Sequence, residues 1–201
     1  MVAIIDYDAG NVKSVEKAVQ SLGHEAILTN DKEIILKADH VILPGVGAFG
    51  ACMDKIRNYD LEPVIKEVIS NNTPFLGICV GLQLLFDESE ESPGVKGLSI
   101  LPGKIKRLPQ TDGLKIPNIG WNDLKLIGEG KIFDGIANGE YVYFVHSYYL
   151  DAKDKSIVKA TIDYGTTVEA SVESGNVYAT QFHPEKSSDV GLKILKNFLE
   201  I

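Results

Sequence analysis

Cysteine is scarce in this chain: Cys52 and Cys79 are the only two among 201 residues, and no C-x-x-C or framework spacing relates them. Two such thiols cannot staple a disulfide scaffold. The four histidines, His24, His40, His146 and His183, form no H-x-x-x-H pair, so no metal and no cofactor is expected. Positive charge is in deficit, with 20 Lys and Arg against 28 Asp and Glu and a net charge of −8. An acidic surface repels phosphate backbones and anionic lipid, which argues against nucleic acid and membrane partners. No apolar run approaches the length of a membrane span. The start, Met1-Val2-Ala3-Ile4-Ile5-Asp6, lacks a charged leader and reads as a strand, so a cytoplasmic protein is expected. No repeat, low-complexity tract or linker interrupts the chain. With 44 % hydrophobic residues to build one sizeable core, residues 1–201 are read as a single domain.

What is present is alternation. Val2 to Ile5 is an apolar strand, Val12, Val15, Ala18, Val19 and Leu22 fall on one helical face ending at Gly23, and Ala26 to Thr29 is a second strand. Asp31 is placed to cap a short helix and Val41 to Leu43 is a third strand. Phe49 to Asn58 reads as helical, and Leu61, Val64, Ile65, Val68 and Ile69 mark a further helix before the apolar Pro74 to Ile78. After the acidic, turn-like Asp87 to Pro93 the rhythm changes. Ser99 to Leu108, Trp121 to Ile127, Glu140 to Leu150, Ser156 to Ile162, Thr166 to Val172 and Asn176 to Phe182 are strand candidates, and Val190 to Leu199 is a closing amphipathic helix. The expected architecture is a three-layer α/β fold, with a mainly parallel central sheet and an antiparallel elaboration in the second half.

The chemistry gathers at two ends of the chain. In Gly77-Ile78-Cys79-Val80-Gly81 a cysteine sits where the fourth strand gives way to a helix whose apolar positions are Leu82, Leu84, Leu85 and Phe86. Glycines two residues either side permit a sharp corner, and a helix N-terminus presents N–H groups to a developing thiolate. Taken alone, the pentapeptide fits an inert buried cysteine equally well. Cys52, inside a helix, is read as structural. Far along the chain, Gln181-Phe182-His183-Pro184-Glu185 follows a strand. If the segment stays extended, His183 and Glu185 point the same way, and a carboxylate beside an imidazole fixes its tautomer and stabilises its protonated form. An isolated H-P-E is more often a surface pair. Ligands of such folds sit at the carboxyl ends of the parallel strands, where Pro44-Gly45-Val46-Gly47 also falls. That loop can turn N–H groups toward an oxyanion, with Val80 N–H as second donor, or be an ordinary tight turn. Gln83, one helical turn beyond Cys79, either meets a polar substrate or faces solvent.

Together these residues resemble the class I, triad-type glutamine amidotransferases, with Cys79, His183 and Glu185 as the triad on a flavodoxin-like fold. Within that class the chain looks like the glutaminase subunits of imidazole glycerol phosphate synthase. The motifs are Asp6 to Asn11, Pro44 to Gly50, Gly77 to Gln83, Gly94 to Leu98, Gly120-Trp121-Asn122, Phe144 to Tyr149 and Gln181 to Ser187. The resemblance spans essentially the whole chain. The glutaminase of pyridoxal phosphate synthase has a similar triad but typically Pro-Gly-Gly-Glu-Ser where this chain has Pro44 to Ala48, which favours the first assignment. Val80 departs from the usual Leu or Met at a position that contributes backbone.

The resemblance implies hydrolysis of L-glutamine through a cysteinyl thioester. Cys79 attacks the carboxamide, the Val46–Gly47 backbone and Val80 N–H hold the oxyanion, His183 moves protons and Glu185 orients it. It also implies that Gln83, Glu91 and the Ser147-Tyr148 backbone hold the glutamine, although Glu91 by itself reads as a solvated acid. The implied partner is a (β/α)₈ barrel cyclase of histidine biosynthesis, bound as a heterodimer near Asn11, Trp121, Tyr143 and Lys186. A core position for Trp121 competes with that reading. Relatives that feed ammonia to sugar-modifying enzymes, a free-standing cysteine hydrolase and a non-catalytic binding subunit are the alternatives. Because the glycines of Pro44 to Gly47 let a peptide rotate, the isolated chain is expected to be a poor glutaminase that its partner's ligand switches on.

Overall fold

Why the first half alternates is visible strand by strand in the computed structural model, which describes residues 1–9 and 12–201. The strands β1 (Val2–Ile5), β3 (His40–Leu43) and β4 (Phe75–Ile78) read as short apolar runs, the pattern of strands covered on both faces. Every residue of β1 and β4 is buried. With β2 (Ala26–Thr29) and β13 (Val177–Thr180) they form five parallel strands in the order β2-β1-β3-β4-β13. The helices α1 (Val12–Ser21), α2 (Lys32–Leu36), α3 (Phe49–Asn58) and α4 (Leu61–Ser70) make the connections. The last helix, α6 (Ser188–Leu199), packs with α1, while α2 and α3 pack with α4. Asp31 caps α2 as expected, its carboxylate accepting from the N–H groups of Glu33 at 2.9 Å and Ile34 at 3.3 Å. Among the described residues no helix is long and apolar enough to cross a membrane.

The second half extends the sheet mainly antiparallel, with β5 and β6 pairing in parallel. Following α5 (Val80–Leu84) come β5 (Glu88–Ser89), β6 (Gly103–Arg107), β7 (Asn118–Asp123), β8 (Lys125–Leu126), β9 (Tyr141–His146), β10 (Tyr148–Ala152), β11 (Val158–Asp163) and β12 (Thr167–Ser174). The parallel core continues through β13-β12-β10-β6-β5, with β11 branching from β12 and β8 pairing with β11, while β7 and β9 pair as a separate ribbon.

Several expected boundaries are corrected, each for a non-local reason. Residues 99–102 are not strand, because Leu98, Ile100 and Leu101 give their N–H groups to carbonyls at the end of α5. The expected strand Glu140 to Leu150 breaks at Ser147: β9 belongs to the ribbon, β10 to the main sheet, and the Ser147 carbonyl accepts from Leu108 N–H at 2.9 Å. The strand expected from Trp121 begins at Asn118 and is interrupted at Leu124, and the one expected from Ser156 begins as a 3₁₀ turn over Lys155–Ile157. The acidic turn after α5 contains β5, and α6 starts at Ser188 rather than Val190. All five residues of α5 are buried, so the helix after Cys79 is a core element and not a one-faced amphipathic one.

Candidate active site

The order β3-β4-β13 brings the separated motifs together. Strands β4 and β13 run parallel with Ile78 opposite Thr180, so the residues that follow each strand emerge side by side at one edge of the sheet. Cys79 N–H donates to the Thr180 carbonyl at 2.8 Å, which locks the corner at Cys79 to the strand that delivers His183. From β3, on the other side of β4, emerges the Pro44 to Gly47 segment.

Cys79 turns that corner at φ 57° and ψ −110°, a region that side chains enter at a cost on the order of 1–3 kcal/mol. Strain of this kind marks a fixed position. Gly81 shows what fixes it: a Cβ there would collide with the Leu43 carbonyl oxygen, so β3 packs directly against the backbone of α5. The Cys79 sulfur lies 3.8 Å from both the Val145 carbonyl oxygen and Gln181 Nε2, and the residue is 5 % exposed.

His183 arrives differently from the expectation. The chain is extended at His183, with φ −97° and ψ 97°, but Pro184–Lys186 form a 3₁₀ turn, so His183 and Glu185 are not successive outward positions of one strand. Pro184 starts the turn, where its missing N–H leaves no bond unmade. The turn still folds the carboxylate onto the ring: Nδ1–H donates to Glu185 Oε1 at 2.9 Å, which leaves Nε2 for the sulfur. Burial disfavours a charge on this ring, but the nearby Cys79 sulfur and the Glu185 carboxylate bonded to Nδ1 push its pKa up to about 9. Ser187 secures the turn, donating to the His183 carbonyl at 2.6 Å and accepting from Tyr143 N–H at 2.9 Å.

Cys79 and His183 open on a cavity of about 260 Å³ whose walls include Val46, Gly47, Val80, Gln83, Glu91, Ser147, Tyr148 and Lys186. Gln83 is buried, so it does not face bulk solvent: its Nε2 donates to the Tyr148 carbonyl at 3.2 Å and to Gln181 Oε1 at 3.0 Å. Glu91 is no simple solvated acid either, since Oε2 accepts from Phe49 N–H at 2.8 Å and caps α3, whose Ala48 has no side chain to do so. Both expected oxyanion donors are committed inside the protein. Val46 N–H donates to the Ala9 carbonyl at 3.2 Å, and Val80 N–H to the Gly45 carbonyl, also at 3.2 Å.

Of the residues expected near a partner, Trp121 lies on the surface, 50 % exposed, and stacks edge-on against Tyr143 with ring centroids 5.9 Å apart. The core position for Trp121 is thereby overturned. Lys186 is exposed at the cavity wall, and Asn11 falls outside the described residues. Three residues around the site escaped a specific role in the sequence reading: Gln181, which contacts the sulfur, and the buried pair His146 and Asn118. His146 had a readable signal, a histidine where the alternation of Val142 and Phe144 calls for another apolar side chain.

Comparison with known proteins follows the same lines. The family model described as "Glutamine amidotransferase class-I" matches residues 3–201. "Imidazole glycerol phosphate synthase subunit HisH" of Bacillus cereus (strain G9842) is 51 % identical over 198 residues, covering 98 % of this chain and 93 % of that protein. The protein of the same name from Syntrophotalea carbinolica is 50 % identical over 204 residues, covering 98 % of each. A solved glutamine amidotransferase superposes with a TM-score of 0.77 at 21 % identity, covering 100 % of this chain and 98 % of the other. The Trypanosoma brucei CTPS glutaminase domain with bound acivicin does so with a TM-score of 0.70 at 16 % identity, over 99 % and 93 %.

Proposed function

This chain belongs to the class I glutamine amidotransferases, and from that premise we propose that it is the glutaminase subunit of an imidazole glycerol phosphate synthase, in histidine biosynthesis. Its substrate is L-glutamine and its products are glutamate and ammonia. The observation that carries the reading is the hydrogen-bonded pair His183–Glu185 behind a cavity whose wall holds both Cys79 and His183.

The chemistry follows from that geometry. His183 Nε2 takes the thiol proton, the sulfur attacks the carboxamide carbon, and the resulting imidazolium is the ion that Glu185 stabilises. The same proton then goes to the departing nitrogen. Ammonia leaves and a glutamyl thioester remains; His183 next removes a proton from water, whose oxygen attacks the thioester carbon and expels the sulfur. The sulfur recovers its proton and the cycle closes. Glu91, whose Oε2 accepts from Phe49 N–H at the start of α3, would pair with the substrate's ammonium.

The committed oxyanion donors support a gate. Gly45 C=O and Val46 N–H belong to one peptide unit, so a single rotation of that unit breaks both bonds at once. It frees Val46 N–H from Ala9 and, by withdrawing the Gly45 oxygen, frees Val80 N–H as well. That rotation changes ψ of Gly45 and φ of Val46, and Gly45, lacking a Cβ, lowers the barrier on its side. Docking of the partner, a (β/α)₈ barrel cyclase subunit in this reading, selects the rotated form at the face carrying Trp121, Tyr143 and Lys186. Ammonia then forms only where an acceptor is waiting.

The test is glutamate release from L-glutamine by the chain together with its partner subunit. Cys79→Ala should cut it by about 10⁴-fold or more without dissolving the complex. Normal release by that variant would remove the sulfur from the mechanism and the reading with it.

A further inference from the structure

The ribbon of β7 and β9 has two unlike faces. Its register sets Asn118 opposite His146, Gly120 opposite Phe144 and Asn122 opposite Val142, and these residues point inward, while Ile119, Trp121, Tyr141 and Tyr143 point outward. Along the inner face of β9 the succession is Val142, Phe144, His146, with the histidine only 5 % exposed. A buried imidazole in an apolar row is costly unless both nitrogens are bonded, and here both are. Nδ1–H donates to the Tyr148 carbonyl at 2.9 Å, spanning the Ser147 break. Nε2 accepts from Asn118 Nδ2 at 3.2 Å, and Asn118 Oδ1 in turn accepts from Asn122 Nδ2 at 3.3 Å.

The carbonyl that His146 holds is shared. Tyr148 O also accepts from Gln83 Nε2, Gln83 Nε2 reaches Gln181 Oε1, and Gln181 Nε2 reaches the Cys79 sulfur. One unbroken line of polar contacts therefore runs from β7 through His146 to the nucleophile. The line fixes the cavity wall where β9 of the ribbon gives way to β10 of the main sheet. Directionality runs through it: Asn122 donates to Asn118, Asn118 to His146, and His146 to Tyr148 O. Only a neutral ring with its proton on Nδ1 continues that order, since a protonated Nε2 would confront the Asn118 amide with a second donor. Burial enforces the neutral form, lowering the pKa of His146 to about 4 against the counter-effect of the Tyr148 carbonyl, with the charge of His183 adding to the depression.

Resting on the glutaminase reading above, we propose that His146 is a positioning residue for that reaction, clamping the Tyr148 carbonyl so that Gln83 and the Ser147-Tyr148 wall keep the shape that binds glutamine. The sulfur and the His183–Glu185 pair do not depend on it. Its loss falls on substrate binding more than on the chemical step.

Steady-state glutamine hydrolysis by the full chain with its partner subunit separates the two. His146→Leu should raise KM for glutamine about ten-fold or more with kcat within about three-fold, because Tyr148 O loses a buried donor. His146→Asn keeps a donor within reach of that carbonyl and should restore KM to within about three-fold of the parent. An unchanged KM in His146→Leu overturns the proposal, and so does an equal KM defect in His146→Leu and His146→Asn, which would make the ring mere filling. If thermal melts show that His146→Leu does not fold, Asn118→Leu decides. That variant strips the donor to Nε2 while leaving Nδ1–H in place, so a KM raised about three-fold or more supports the relay and an unchanged KM overturns it. Alkylation of Cys79 by iodoacetamide should proceed within about three-fold of the parent rate in every folded variant, and a larger loss overturns the assignment to substrate binding. Failure of the parent complex to hydrolyse glutamine would instead defeat the glutaminase reading, so the two failures are distinguishable.

Discussion

At the scale of single residues, the site runs on the unequal surroundings of two buried imidazoles. His183 is held toward its charged form, up to about 9, and His146 toward its neutral form, down to about 4. The difference is chemical, since burial opposes charge on both rings and only His183 has the Glu185 carboxylate and the Cys79 sulfur to overcome it. A raised folded-state value means that the proton on His183 stabilises the fold fully below the usual 6.5, and that this contribution is lost as pH rises through about 9. Replacing Cys79 by Ala removes one of the two supports. The titration midpoint of His183, followed by NMR of its ring nitrogens, should then fall from about 9 toward 6.5, with a comparable fall in Glu185→Gln. A midpoint unmoved in both variants would show that neither group holds the proton. Cys52, read as structural, has its thiol 3.5 Å from the Val46 carbonyl oxygen.

At the scale of elements, the corner between β4 and α5 is defined by backbone contact. With Gly77, a Cβ would stand 2.7 Å from the Gly81 carbonyl oxygen; with Gly81, it would overlap the Leu43 carbonyl oxygen itself. The obstructing atoms are main chain and cannot swing aside. Gly81→Ala should accordingly destabilise the protein by about 3 kcal/mol or more, read as a lowered denaturation midpoint, whereas the open Gly23 should tolerate more. An unchanged midpoint for Gly81→Ala would mean that β3 and α5 separate easily. The short α5 also limits what a helix dipole contributes. With five residues it offers little beyond the Val80 N–H, and that group is turned to Gly45. Charge stabilisation at the sulfur therefore rests on neighbouring side chains more than on the helix end.

Across the whole molecule, the arrangement predicts a partner-dependent enzyme. One missing oxyanion donor costs about 10²- to 10³-fold in rate, so an isolated chain with both donors turned inward should release glutamate at least that much more slowly than the complex with its partner subunit and that partner's ligand. Full activity in the isolated chain, with no rise on adding both, would discard the gate and leave the triad standing. The amino-acid sequence by itself determined the alternation of strands and helices up to Cys79, because apolar period and capping residues such as Asp31 act over a few neighbours. It also determined which residue types were available for catalysis, since Gly77 to Gly81 and His183-Pro184-Glu185 are local patterns. Only the tertiary structure decided that these segments meet, because β4 and β13 pair in parallel across a long stretch of chain. It alone decided that residues 99–102 serve as partners for α5, that the strand breaks at Ser147, and that Glu185 reaches His183 through a 3₁₀ turn. The direction of the Val46 and Val80 N–H groups, and the line from Asn122 through His146 to Cys79, belong to the same class. Each is set by which distant donor or acceptor packing delivers, and no short window of sequence contains both partners of such a bond.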